Sequence, residues 1–147
     1  MRYRLFALLG IFAFVPSMVL AHVTVRPRES APSAEEKYTV RVPTEGAVST
    51  VQLELEIPEG VTVIDVPHPD GAPHKVKKSN GRITAIVWTK EIKPKEAAEF
   101  TFRARNPKTG DALVWKAHQH FADGTTADWI GPPEKRPASV TKLALKQ

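Results

Sequence analysis

His22 follows the run MRYRLFALLGIFAFVPSMVLA, which has the three parts of a secretory signal: Arg2 and Arg4, an apolar stretch from Leu5 to Val15, and a small-residue end at Val19, Leu20 and Ala21. Cleavage after Ala21 makes His22 the first residue of the mature chain. A histidine there has a property that no internal histidine has, because its free α-amine and its imidazole Nδ1 can grip one ion in a single chelate ring. The α-amine titrates at about 7.7–8.0, so releasing its proton to a metal near neutral pH costs little. A second candidate lies in KAHQHF, where His118 and His120 project from one face of a predicted strand at a spacing that can chelate one metal. The competing reading makes them polar residues on a solvent face opposite Trp115 and Ala117, and one-face alternation already accounts for them. His68 and His74 flank a Pro-Asp-Gly turn and are expected to be exposed.

The donor inventory narrows the metal. The chain has no cysteine, and its two methionines, Met1 and Met18, both fall in the signal segment. Neither thiolate nor thioether is left, so a bound ion must accept nitrogen and oxygen, which suits Cu(II), Zn(II) or Ni(II). Amine plus imidazole favours Cu(II), the peak of the divalent affinity series. Other classes find little support. Of the 21 basic residues, Arg2 and Arg4 belong to the signal, so the mature balance is 19 − 16 = +3. These charges are scattered among acidic residues, which describes a solvated surface and no nucleic-acid stripe. No Gly-x-Ser-x-Gly elbow or His-Glu-x-x-His motif is present. The leading apolar run is shorter than the roughly 20 residues of a membrane span, and no second one follows, so the mature chain is expected to be exported, periplasmic or extracellular, soluble, and without a membrane span.

These residues need elements to hold them. Removing 1–21 leaves 22–147, or 147 − 21 = 126 residues, enough for one domain. In TVQLELEIP, Val51, Leu53, Leu55 and Ile57 alternate with Gln52, Glu54 and Glu56, the period-two pattern of a half-buried strand. KYTVRVP and EFTFRAR read the same way. Further strands are expected at 22–25, 61–66, 74–78, 82–88, 112–121, 126–129 and 139–145, the last as an edge strand. Turn signals separate them, the sharpest being Asn80-Gly81 between two extended runs. With 13 prolines and no sustained helical period, the chain predicts an all-β, antiparallel two-sheet sandwich of immunoglobulin or fibronectin-III type.

Several stretches together carry a family resemblance: HVTVRP at the mature start, YTVRVPTEG, VQLELEIPEGVTV, ITAIVWTKEIKPKEAAEFTFRAR and ADGTTADWIGPPE. From His22 to about Val140 the chain resembles the YcnI family of exported copper-binding domains. The resemblance implies an immunoglobulin-like sandwich that holds one Cu(II) per mature chain in a single-histidine brace. In it the terminal histidine supplies amine and ring nitrogen, a glutamate supplies oxygen, and a tryptophan lies against the metal. Carried onto this chain, these are His22, Glu45 and Trp129, with Glu29 and Asp128 as reserve oxygen donors. The function implied is copper acquisition, delivery or homeostasis without turnover, with a membrane copper transporter or another copper carrier as partner. Two alternatives stand beside it. A copper oxidase or monooxygenase needs a second imidazole next to His22, which His118 or His120 supplies only if the fold brings that strand there. A non-catalytic protein-interaction module needs no metal at all.

Overall fold

The computed structural model describes residues 22–68 and 73–145. The signal read over 1–21 and the Pro69-Asp70-Gly71 turn lie outside the described residues. Twelve strands and no helix are present among those described: β1 (Thr24–Arg26), β2 (Glu29–Ser30), β3 (Glu35–Pro43), β4 (Thr50–Glu56), β5 (Thr62–Asp65), β6 (His74–Ser79), β7 (Arg82–Ile92), β8 (Ala97–Arg105), β9 (Ala112–Trp115), β10 (Ala117–Phe121), β11 (Thr126–Trp129) and β12 (Ser139–Leu143).

The strands form two principal sheets and a smaller third. One sheet runs β1-β3-β8-β5, the other β11-β10-β4-β7-β6, and the small one β2-β12-β9. Alternation explains the pairing faces. Along β3, Tyr38, Val40 and Val42 are buried, and along β8 so are Phe100, Phe102 and Ala104, which places every second residue of each strand in the space between the sheets. Aromatic rings fill the middle: Trp88 stacks on Phe100 at 5.1 Å between centroids, while Tyr38 lies 4.8 Å from Trp115 and 5.4 Å from Phe102. With no cysteine, this core is what holds the domain together.

The expected hairpin is present. Asn80 and Gly81 both take positive φ, 52° and 75°, the geometry a two-residue turn between right-twisted strands demands. Three expectations need correction. Residues 112–121 are not one strand: the chain breaks at Lys116, whose carbonyl accepts the Glu56 amide at 2.9 Å, so that β9 joins the small sheet and β10 the five-stranded one. The last strand, β12, is no edge strand but the middle of its sheet, antiparallel to β9 and parallel to β2. Along β4 the alternation slips at its start, where a register shift between Thr50 and Gln52 buries Thr50 and leaves Val51 half-buried.

Candidate metal centre

His22 lies just before β1, the edge of the four-stranded sheet. β1 runs antiparallel to β3 with Thr24 opposite Arg41, so the chain enters β1 at the end of the sheet where β3 leads out towards Glu45. The imidazole packs on Trp129, with ring centroids 5.5 Å apart and planes tilted by 54°. Trp129 ends β11, the edge of the opposite sheet, so the contact joins the open rims of the two principal sheets.

The indole is fixed from below. Its Nε1 donates to Gln119 Oε1 at 3.0 Å, and Gln119 is itself buried on β10. The Gln119 amide donates to the Pro43 carbonyl at 2.9 Å and to Thr50 Oγ1 at 2.7 Å, and Thr50 and Thr44 share a hydroxyl contact of 2.6 Å. A buried amide has few ways to satisfy all its donors and acceptors, so this chain sets one indole orientation. The slip in β4 that turns Thr50 inward is what completes it.

Glu45 follows β3 in a loop whose base is pinned. The Thr44 amide donates to the Glu96 carbonyl at 2.9 Å and the Lys95 amide to the Thr44 carbonyl at 2.7 Å. The carboxylate itself is exposed at the rim of a cleft that Trp129 also lines. Trp129 touches the His22 ring and lines the same cleft as Glu45. Among the described residues no three His, Asp or Glu side chains converge to hold a metal ion.

Of the reserve donors, Asp128 is engaged, accepting from His118 Nδ1 at 2.7 Å. Glu29 is exposed on β2, in register with Lys142 of the small sheet. His118 and His120 face outward from the five-stranded sheet, as the alternation reading expects. His118 Nε2 meets Glu56 at 2.9 Å, so two carboxylates grip opposite nitrogens of one ring. That is the geometry of a bridging imidazolium, in which neither nitrogen is open to a metal. Burial alone would lower the His118 pKa, but the hydrogen bonds to Asp128 and Glu56, and then their charges, outweigh it and hold the pKa above the ordinary histidine value. His120 Nδ1 is 3.5 Å from Thr126 Oγ1. His68 and His74 have rings 5.0 Å apart, with His68 exposed and His74 half-buried.

Gln119 escaped the sequence reading, although a signal for it exists. It occupies the inward position after Leu113, Trp115 and Ala117, and a polar residue on an inward position demands partners. Arg136 escaped too, since nothing along the chain shows that it returns to Trp129.

The family model described as Domain of unknown function (DUF1775) matches residues 22–144. The chain belongs to this family. The copper-binding protein CutI of Bacillus subtilis (strain 168) is 29% identical over 141 residues, covering 93% of this chain and 69% of that protein. Together these bear out the YcnI-like resemblance. Among solved structures, an uncharacterized protein from Nocardia farcinica with an immunoglobulin-like fold superposes with a TM-score of 0.71 at 22% identity, covering 85% of this chain and 99% of the other. A cohesin module from a Clostridium perfringens family 33 glycoside hydrolase gives a TM-score of 0.57 at 16% identity, over 83% of this chain and 93% of that one. At such identities the likeness concerns the fold, and it bears out the immunoglobulin-like sandwich. No helix among the described residues is long and apolar enough to cross a membrane.

Proposed function

We propose that this DUF1775 chain is an exported, non-enzymatic Cu(II)-binding protein serving copper acquisition, delivery or homeostasis. In this reading the signal is cut after Ala21, and His22 binds one Cu(II) through its freed amine and Nδ1. Glu45 supplies an oxygen and part of the charge balance, and Trp129 shields one side of the ion. The observation that carries it is the packing of the His22 ring on Trp129 beside the cleft that Glu45 lines. The copper-binding name of a relative aligned over most of the chain adds support, and so does a donor inventory of nitrogen and oxygen alone. The oxidase reading loses one of its two candidate imidazoles, because both His118 nitrogens are engaged by carboxylates, and keeps only His120. A membrane copper transporter or another copper carrier is the partner such a role calls for.

Electron paramagnetic resonance during Cu(II) titration tests the proposal. Protein starting at His22 is compared with protein carrying one extra alanine in front. A one-copper signal with nitrogen coupling that is lost or altered in the extended form is the expected result. Identical spectra would remove the N-terminal residue from the site.

A further inference from the structure

The cleft beside Trp129 has a volume of about 460 Å³, within the roughly 300–1,000 Å³ of small-molecule sites. Its lining is divided by chemistry. Trp129 and Phe121 present aromatic surface, Ala47 and Val48 aliphatic surface, and two charges of opposite sign stand on the walls, Glu45 and Arg136. No hydrogen bond or ion pair engages either charged side chain among the described residues, nor do they pair with each other. The third charge, Asp123, stays ionised and accepts from the hydroxyl and amide of Thr125 at 2.6 and 3.0 Å, which orients its carboxylate towards its own turn.

Arg136 is held over this cleft by a built loop. After Trp129 the chain leaves β11, turns through Pro132 and Pro133, and comes back so that the Gly131 amide donates to the Arg136 carbonyl at 2.8 Å and the Ala138 amide to the Gly131 carbonyl at 3.1 Å. The return is tight: a Cβ on Gly131 would stand 3.1 Å from that same carbonyl oxygen. Gly-Pro-Pro thus sets the position of a cation, and the next two residues, Pro137 and Ala138, line a separate groove on the His22 side.

We propose that this cleft binds a small zwitterion of the α-amino-acid class. Arg136 receives its carboxylate in a charge-assisted pair, Glu45 receives its ammonium, and Trp129 and Phe121 cover an apolar or aromatic side chain. The amino acid draws on the same Glu45 carboxylate that the copper reading uses, so the two ligands compete for it, and the test is therefore made on metal-free protein. Calorimetric titration of metal-free, chelator-treated protein with L-phenylalanine, with 3-phenylpropionate and with phenethylamine separates the two ends. L-phenylalanine is expected to bind at one per chain, and each one-ended analogue about tenfold weaker or worse, the order expected when a charged group loses its partner. Arg136→Gln and Glu45→Gln should weaken L-phenylalanine similarly with thermal unfolding unchanged, since both side chains are exposed. Absence of L-phenylalanine binding at millimolar concentration, equal affinity for the one-ended analogues, or full affinity in Arg136→Gln would overturn it. Copper binding in the resonance experiment stands or falls separately.

Discussion

Gln119 decides how far Trp129 can be trusted to hold its place. Gln119→Leu is close in size but removes one acceptor and two donor contacts at once, leaving the indole Nε1, the Pro43 carbonyl and Thr50 Oγ1 without that partner. Buried groups stranded this way cost about 1–3 kcal/mol, so urea unfolding should show a loss of that order, and the tryptophan emission should report an indole freed from its anchor. His118 works on the opposite face of the same strand by charge. Its pKa is raised in the folded chain, so its contribution is fully present below the usual value of 6.5 and is lost as pH rises through the folded value. The melting difference between the natural chain and His118→Gln should therefore be larger at about pH 5.5 than at about pH 8.5, on either side of histidine's ordinary range. A difference that did not change with pH would mean that His118 is held by neutral hydrogen bonds alone.

At the scale of elements, a polar tie fastens β2, β3 and the chain leaving β8. Tyr38 donates to Asn106 Oδ1 at 2.5 Å, Asn106 Nδ2 donates to Ser30 Oγ and the Ala31 carbonyl at 2.9 Å each, and Ser30 Oγ donates to Glu36 at 2.8 Å. Burial first, and then the nearby Glu36 charge, push the Tyr38 phenol up to about 12 from its usual 10.0. Tyr38→Phe leaves Asn106 Oδ1 without its donor and should cost about 1–3 kcal/mol near neutrality. Because the folded pKa is raised, the phenol's contribution is intact below 10 and lost as pH climbs towards about 12. Urea midpoints of the two chains should converge between about pH 9 and about pH 11. Elements of this kind were only partly legible. Alternation exposed β3, β8 and all of β4 but its slipped start, and Asn80-Gly81 marked its hairpin, because side-chain periodicity and positive φ are local facts. The break at Lys116 and the central place of β12 were not legible, since each depends on which distant strand accepts the hydrogen bonds. The candidate site divides the same way. His22 and the tryptophan motif can be read from the chain, whereas Gln119 beneath the indole and Arg136 above the cleft become functional candidates only when β10, β11 and the returning loop are folded together.

The whole molecule separates what holds it from what it presents. Phe102 sits among Tyr38, Trp88 and Trp115, with centroid distances of 5.4, 6.3 and 5.7 Å, and it is fully buried. Phe102→Ala should cost about 3–5 kcal/mol, a large share of the roughly 5–15 kcal/mol available to a domain of ordinary stability, and no disulfide is present to offset it. Glu45 and Arg136 stand exposed on rim loops, and their substitution by Gln should change stability by no more than about 0.5 kcal/mol. Trp129 belongs to both groups, being half-buried against the core as well as facing the cleft, so its removal cannot test binding alone. The discriminating comparison is denaturant unfolding and Cu(II) titration on the same three proteins, Phe102→Ala, Glu45→Gln and Arg136→Gln, each starting at His22. The expected pattern is crossed: Phe102→Ala unfolds early yet binds copper at full stoichiometry while folded, Glu45→Gln unfolds normally but binds copper more weakly, and Arg136→Gln is normal in both. A Glu45→Gln protein as unstable as the core variant would make the glutamate a structural residue of the loop, and its proposed place beside the ion would have to be given up.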